Sequence, residues 1–203
     1  MKNTSVEKHR IAWSRGGGVL LFLFLCATNS HWDENEGPVA FLLFLVGLVL
    51  IAIASLGRIW CSLYIAGYKD KKLVVVGPYS MCRNPLYFFS FLGGLGVGCA
   101  TETFTFPLLL VAFFVLYYPF MIRSEEQRLR RFWGAAFDDY QSRVPRFFPK
   151  ISLLDEPENY TVKPVIYRKH ILSALWFIWL VGIIECIEGL KDMGWLHSWW
   201  TIY

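Results

Sequence analysis

Residues 38–57 read PVAFLLFLVGLVLIAIASLG, an apolar run without a charged side chain. An α-helix needs roughly 17–25 such residues to cross the hydrocarbon core of a bilayer. Four other apolar blocks follow the same plan, at residues 16–28, 86–100, 104–122 and 171–187. Blocks 16–28 and 86–100 are short and contain glycine, so their flanking residues must complete a crossing. The pattern predicts an all-α integral membrane protein with five transmembrane helices.

The composition agrees with this fold class. Of the 203 residues, 55% are hydrophobic and 18% aromatic, and the mean hydropathy is +0.40, whereas soluble domains usually have about 45–50% apolar residues. The first block follows a basic segment, as in a secretory signal peptide. However, Cys26-Ala27-Thr28-Asn29 makes a poor cleavage site. A retained first span is therefore favoured over cleavage.

Basic residues are unevenly distributed between the predicted loops. With a cytoplasmic N-terminus and five spans, 19 of the 20 lysines and arginines lie on the cytoplasmic side, and only Lys191 lies outside. The positive-inside rule favours this orientation, with the C-terminus outside. The chain is compact and its Trp200-Thr201-Ile202-Tyr203 end has no retention signal. We therefore expect a bacterial inner membrane.

A polar segment interrupts the apolar chain at residues 77–87, which read GPYSMCRNPLY. Its two prolines fix their own backbone angles and restrict the residues before them. A simple connector between spans would need neither proline. The segment therefore predicts a rigid cytoplasmic loop that binds a ligand.

A second polar segment follows the fourth apolar block, at residues 123–134, which read RSEEQRLRRFWG. Apolar residues recur in it at helical spacing among basic ones, which predicts an amphipathic helix at the membrane surface. Anionic headgroups repel carboxylates, so the adjacent Glu125 and Glu126 are unusual for a simple membrane anchor. A cationic ligand accounts for them better.

Other familiar site patterns are missing from the sequence. The five cysteines and four histidines have no spacing typical of a metal site, a disulfide framework or a Cys–His nucleophile pair. The third apolar block contains GGLGVG at residues 93–98, but the context of a dinucleotide-binding loop is absent. Gly94 and Gly98 are better explained by close helix packing.

Three motifs in register carry a family resemblance. They are Gly-x-Tyr-x-x-x-Arg-Asn-Pro-x-Tyr at 77–87, Glu-Glu-x-x-Leu at 125–129 with Phe-Trp-Gly at 132–134, and Phe-x-x-Tyr-x-x-Arg-Val-Pro-Arg-Phe-Phe-Pro at 137–149. Residues of about 40–150 thereby resemble the isoprenylcysteine carboxyl methyltransferases and the related phospholipid N-methyltransferases. The isoprenylcysteine enzymes usually have histidine at the position of Asn84, so this chain looks more like the phospholipid and bacterial branches.

The resemblance implies a helical membrane domain that binds S-adenosylmethionine on its cytoplasmic side and methylates a lipid-like or prenylated acceptor, without nucleic acid or metal. We expect three parts: an N-terminal cytoplasmic tail with the first span and an outer loop (1–37), a methyltransferase core that the resemblance covers (38–150), and a cytoplasmic linker with an additional C-terminal span outside the resemblance (151–203). The cofactor contacts that it implies are Lys71, Lys72, Leu73, Val74, Tyr79, Arg83, Asn84, Pro85, Leu86, Tyr87 and Glu125. The catalytic or substrate-side groups that it implies are Arg123, Glu126 and Arg143.

The implied chemistry agrees with the residue types. Glutamates can accept hydrogen bonds from ribose hydroxyls or an α-amino group, and arginine can bind a carboxylate or phosphate with two hydrogen bonds. We expect Glu125 to hold the cofactor and Arg143 to orient an acidic or phosphate-bearing substrate. Two alternatives remain open: a membrane reductase of steroid-reductase type that uses NADPH, and a membrane protein without enzymatic activity.

Overall fold

The structure, a computed structural model, describes residues 16, 18–32, 38–68 and 71–203. The basic N-terminal tail, the acidic loop 33–37 and Lys69, all used in the charge argument, lie outside the described residues. The helices are α1 (Gly18–Ala27), α2 (Pro38–Ile65), α3 (Pro78–Met81), α4 (Pro85–Cys99), α5 (Thr105–Trp133), α6 (Ala135–Arg143), α7 (Pro164–Ala174) and α8 (Trp176–Asp192), with a 3₁₀ turn at Ile151–Leu153. The strands are β1 (Thr28–Ser30) and β2 (Trp200–Ile202).

Three helical segments of the described chain are long and apolar enough to cross a membrane: α2, α5, and α7 with α8 as one segment, Pro164–Asp192. The protein is therefore a helical membrane protein. The predicted count of five spans is not confirmed, because α1 and α4 are shorter. At 1.5 Å per residue the 15 residues of α4 rise only about 22 Å, less than the roughly 30 Å of a hydrocarbon core.

Helix α4 packs closely on α2 because glycines face each other. A Cβ on Gly96 would lie 2.8 Å from the Gly47 carbonyl oxygen, and one on Gly57 would lie 2.2 Å from the Phe89 ring. Gly98 approaches the start of α5, as the packing prediction requires. Gly94 has open space around it, so its predicted packing role is wrong. Residues 94 and 98 are one turn apart on α4, but only Gly98 approaches another helix, α5.

Segment 123–134, predicted as a surface helix, does not form a separate helix. Its residues up to Trp133 are the last turns of α5, a single 29-residue helix that starts at Thr105. Gly134 ends α5 with φ +48°, a conformation that glycine adopts at little cost, and α6 follows. Because the segment continues α5 rigidly, the face of each glutamate is set by the helix repeat.

The predicted outer loops and the C-terminus meet at one end of the helices. Strands β1 and β2 are parallel, with Asn29 paired to Thr201. The hydroxyl of Ser30 donates to the Glu102 carbonyl over 2.7 Å, and the Thr105 amide donates to the Tyr203 carbonyl over 2.9 Å. The charge-based topology assigns all these segments to one side of the membrane. Which side they occupy stays a prediction.

Candidate functional site

The proline-marked loop is rigid because each proline begins a helix. Pro78 starts the single turn of α3, and Pro85 starts α4, where a missing N–H costs nothing. Gly77 precedes the first turn with φ +60°, and a Cβ there would lie 2.5 Å from the Tyr64 ring. The Ser80 hydroxyl donates to the Gly77 carbonyl over 2.7 Å. Both the conformation and the space therefore require glycine at residue 77.

Residues 144–150, the segment after α6, hydrogen-bond to this loop. The Arg83 amide donates to the Pro145 carbonyl over 2.9 Å, and the Lys150 amide donates to the Met81 carbonyl over 3.0 Å. The buried Tyr140 hydroxyl donates to the Tyr79 carbonyl over 2.7 Å. Segments about 60 residues apart in sequence are thus joined by main-chain contacts, so the Arg-Val-Pro segment belongs to the same structural unit as the loop.

A buried carboxylate, that of Glu126, lies where the loop, α5 and the segment after α6 meet. Its Oε1 lies 3.1 Å from Arg83 Nε, and both side chains are only 8% exposed. Arg146 donates to Oε2 through Nε at 3.1 Å and Nη2 at 2.8 Å. Asn84 Nδ2 lies 3.4 Å from Oε1 and donates to the Arg146 carbonyl over 3.0 Å. We call these four residues the Glu126 cluster.

The contacts of the Glu126 cluster suit a structural anchor. A buried charge is tolerated when it is paired and hydrogen-bonded, and the carboxylate of Glu126 is engaged by two guanidinium groups. The Arg83 guanidinium also donates from Nη1 to the Gln141 carbonyl over 2.9 Å. Arg83, expected at the cofactor, and Glu126, expected in catalysis, contact each other directly. Their predicted roles at the site stay predictions.

Glu125 faces a different side of α5, because consecutive helical residues are rotated by about 100°. Its carboxylate is one-third exposed and pairs with Arg128 one turn later. Burial is the main cause that raises the pKa of the Tyr79 phenol, and the charge of Glu125 adds a weaker contribution. The neighbouring glutamates therefore have separate surroundings. Glu125 is partly exposed and within electrostatic range of Tyr79, whereas Glu126 is enclosed in the cluster.

The Tyr79 hydroxyl is the most unusual polar group of the loop. Tyr79 is 6% exposed, and its hydroxyl has no hydrogen-bond partner within the part of the chain that the structure describes. Burial is the main cause that raises its pKa well above the ordinary value. Buried polar groups almost always have a partner. An unpaired hydroxyl within electrostatic range of Glu125 therefore suits a site that binds a polar ligand.

Neighbouring groups of the loop are also held neutral. Burial raises the pKa of the Cys82 thiol to about 12, and it raises the pKa of the Tyr140 phenol as well. A thiol with so high a pKa has no appreciable thiolate at neutral pH, and the thiolate is the nucleophile. Cys82 is fully buried and packs in the core of the loop.

An open cleft of about 260 Å³ lies beside the Glu126 cluster. It is lined by residues of α5, α6 and the segment after α6, namely Arg123, Glu126, Gln127, Arg130, Phe137, Gln141 and Arg146. The cleft brings together Arg123 and Glu126, two of the groups expected on the substrate side, and their roles stay predictions. Three arginines give it an excess of positive charge, which suits an anionic group.

Arg143 lies outside this cleft. Its side chain is 67% exposed and pairs with Asp139, one turn earlier on α6. Its predicted role in orienting the substrate stays a prediction. Arg146, three residues later, reaches the cluster instead, and sequence reasoning missed it. The signal was present, since the Arg-Val-Pro-Arg motif holds two arginines, but only the turn at the end of α6 decides which one points inward.

The expected cofactor contacts at residues 71–74 have mixed surroundings. Lys71 and Lys72 are exposed, Leu73 is half-buried, and Val74 packs in the core beside Tyr79. The Lys72 ammonium lies 5.6 Å from the Tyr160 ring centre, so it contacts the linker. Leu86 and Tyr87 occupy the first turn of α4, and the Tyr87 ring lies 5.4 Å from Tyr118 of α5.

The linker after residue 150 packs across the loop and the end of α2. The Gly77 amide donates to the Asp155 carbonyl over 2.7 Å. Glu156 Oε1 accepts hydrogen bonds from Trp60 Nε1 and the Tyr64 hydroxyl, each over 2.9 Å. The Tyr160 hydroxyl donates to the Tyr64 carbonyl over 2.7 Å. The predicted boundary at residue 150 thus crosses a region with many contacts, although the division into parts stays a prediction.

Comparison with known proteins supplies the family. The sequence profile described as phospholipid methyltransferase matches residues 37–136. The chain belongs to the phospholipid methyltransferase family. The match spans α2, the loop, α4 and α5, and so includes Tyr79, the Arg-Asn-Pro motif and both glutamates. No solved structure matches the chain significantly.

Two relatives extend the likeness beyond this core. The nickel-cobalt-cadmium resistance protein NccN of Alcaligenes xylosoxydans xylosoxydans is 36% identical over 193 residues, which cover 95% of this chain and 89% of NccN. The cobalt-zinc-cadmium resistance protein CzcN of Cupriavidus metallidurans is 36% identical over 196 residues, which cover 95% and 88%. Coverage of this extent includes most of the linker and the last helical segment.

Both relatives are named for resistance to metals, which raises the question of a metal site in this chain. Among the described residues, no group of three or more histidine, cysteine, aspartate or glutamate side chains is arranged to hold a metal ion. The expectation that the protein works without a metal stays a prediction.

Proposed function

We propose that this protein is an S-adenosylmethionine-dependent methyltransferase of the membrane, which methylates a carboxyl oxygen or an amine of a lipid-like or prenylated acceptor. The observation that carries the proposal is the contact between the loop and α5, inside the region that matches the family. Tyr79 presents an unpaired buried hydroxyl there, within electrostatic range of the carboxylate of Glu125. A donor and an anion at one place fit a ligand that has both a cationic centre and hydrogen-bonding groups.

Bound S-adenosylmethionine would supply an activated methyl group on a sulfonium cation. The residues that would hold it are Glu125, Tyr79 and the first turn of α4 from Asn84 to Tyr87. Glu125 attracts positive charge and accepts hydrogen bonds, while the Tyr79 hydroxyl donates one. The Glu126 cluster keeps the loop against α5, so that these groups are preorganised before binding.

Exclusion of water is the second contribution of the chain. Phe114 and Tyr118 of α5 stack with their ring centres 3.6 Å apart, and Phe147 lies 5.5 Å from Phe114. These rings form an apolar layer beside the loop. A methyl transfer that neutralises a sulfonium cation is favoured where water is scarce. Arg123, at the rim of the cleft, would orient an anionic group of the acceptor.

The proposal is tested first by binding. Calorimetry with the purified protein in detergent should detect S-adenosylmethionine and its demethylated product. Glu125→Ala should weaken binding by roughly tenfold to a hundredfold, which corresponds to a charge-assisted hydrogen bond of about 1.5–3 kcal/mol. Glu158→Ala removes an exposed linker carboxylate and serves as the matched control. If the folded protein binds neither compound, the proposal is wrong, and NADPH binding in the same assay would favour the reductase alternative.

The acceptor is identified by transfer of label. Incubation with methyl-labelled S-adenosylmethionine and a native lipid extract should yield a labelled lipid-soluble product. The Glu125→Ala variant should yield less of it at a subsaturating cofactor concentration. We place the protein in a bacterial inner membrane, with the N-terminus and the loop on the cytoplasmic side, where this cofactor is available.

The relatives suggest a setting for the reaction. NccN and CzcN are named for resistance to nickel, cobalt, zinc and cadmium. We propose that methylation of a membrane component contributes to tolerance of such metals. Loss of the gene in its host should then increase sensitivity to these ions. The wild-type gene should restore tolerance and the Glu125→Ala gene should not; equal restoration by both would separate metal tolerance from methyl transfer.

A further inference from the structure

An arginine lies near the end of α2, the first long helix that could cross a membrane. Its basic charge favoured a place in a cytoplasmic loop, but α2 continues to Ile65, seven residues or about 10 Å further. Residues 38–57 already rise about 30 Å, the depth of a hydrocarbon core, so Arg58 lies at the edge of that core. An arginine near the membrane-spanning part of a helix marks a candidate functional site when it lacks a charged partner.

The guanidinium of Arg58 contacts neutral groups. Nη1 donates to the Ser90 hydroxyl of α4, Nη2 lies 3.4 Å from the Ser173 hydroxyl of α7, and the group lies 5.6 Å from the Phe177 ring centre of α8. Within the described chain, no carboxylate is within ion-pair distance of Arg58. A hydroxyl satisfies a hydrogen bond but does not neutralise a buried positive charge.

Unpaired polar atoms surround this charge. The Nε of Arg58 and the Oγ of Ser55, three residues earlier on the same helix face, are both buried without a partner among the described residues. Ser55 is 5% exposed. Tyr79, with its unpaired hydroxyl, lies within electrostatic reach of Arg58. The Arg58 cation, with its own unpaired Nε and the unpaired hydroxyl of Ser55 on the same helix face, is a site for an anionic group.

The side from which such an anion would arrive is the bilayer. The contact between Arg58 and Ser173 is exposed, as is Trp176 on the next turn. The guanidinium therefore lies at a seam between α2, α4 and the α7–α8 segment that faces lipid. An amphiphile can place its chain along this seam and its head at the polar end of the span, whereas a water-soluble cofactor would enter from the loop.

We propose that Arg58 binds the carboxylate or phosphate head of an amphiphile that enters from the bilayer, with the unpaired Ser55 hydroxyl as a further hydrogen-bonding group. Under the proposed function, on which this last step rests, that amphiphile is the methyl acceptor, which is therefore acidic. Binding of the head needs no methyl transfer and is tested without it.

The test uses the full-length protein in nanodiscs of phosphatidylcholine. Equilibrium binding is measured for radiolabelled palmitate and dodecyl phosphate, with hexadecanol as the neutral probe. The wild type should bind at least one acid at least tenfold more tightly than hexadecanol, and the better acid distinguishes a carboxylate from a phosphate. Arg58→Gln should abolish the preference, Arg58→Lys should keep part of it, and Arg168→Gln, an exposed arginine of α7, should match the wild type.

Two results would overturn the inference. One is a wild type that binds the acids and hexadecanol equally, a measurement that needs no variant to fold. The other is an Arg58→Gln protein that keeps the preference for acids. Binding of S-adenosylmethionine is measured on the same samples. If Arg58→Gln loses cofactor binding but binds the acids as before, Arg58 serves the cofactor and the inference is wrong. If the wild type binds the cofactor but shows no preference for acids, only this inference fails and the proposed function stands.

Discussion

Replacement of Glu126 tests whether its carboxylate holds the loop, α5 and the Arg-Val-Pro segment together. Glu126→Gln keeps the shape of the side chain and removes its charge. Arg83 then loses its counter-ion, and water cannot replace it because the Arg83 side chain is only 8% exposed. Breaking a buried pair by removing one partner costs about 3–5 kcal/mol. Arg146 is 48% exposed, so water replaces its contact and adds at most about 1 kcal/mol.

The measurement is the free energy of unfolding in detergent micelles, from a denaturant titration followed by tryptophan fluorescence. Asp139→Asn breaks the exposed pair with Arg143 and should cost no more than about 1 kcal/mol. The double variant Arg83→Met with Glu126→Leu removes both buried charges and should be more stable than Glu126→Gln alone. A Glu126→Gln protein within about 1 kcal/mol of the wild type would refute the anchoring role.

Three further predictions concern packing, pH and topology. Gly96→Ala should destabilise the protein by about 1–3 kcal/mol, because its Cβ would lie 2.8 Å from the Gly47 carbonyl oxygen. Gly94→Ala has open space around it and should leave stability unchanged. Thermal unfolding of both variants measures the difference. Burial raises the pKa of the Cys82 thiol to about 12, against about 8.5 in an unfolded chain. Above about pH 9 the unfolded state therefore binds fewer protons than the folded state, and the free energy of unfolding falls as the pH rises to about 12. The contribution of Cys82 to stability should be constant below about pH 8, and Cys82→Ala should flatten the fall above it. Cysteines at positions 29 and 201, in the Asn29→Cys and Thr201→Cys double variant, should form a disulfide under mild oxidation because these residues are paired in register; failure to cross-link would contradict the strand pairing.

The family and the membrane class were accessible from local patterns. An apolar run such as 38–57 has one inexpensive conformation in a bilayer, a helix that satisfies its own backbone groups. The Arg-Asn-Pro and Glu-Glu motifs lie close together in the sequence and are recognisable without the fold, and the family match confirms what they indicated. Proline positions also marked where helical turns begin in the loop, at Pro78 and Pro85, since proline restricts the backbone by itself.

Contacts between distant segments were decided only by the tertiary structure. The choice of Arg146 over Arg143 as the partner of Glu126 depends on where α6 ends and how the chain turns. The separation of Glu125 from Glu126 depends on α5 continuing through residues 123–133 as one helix. Arg58 lies on a helix facing α4 and α7, and not in a loop, because α2 extends past Gly57, where the apolar run ends. Sequence patterns indicate which conformation a single segment prefers. The partner of a charged side chain depends instead on packing between segments that are far apart in the chain.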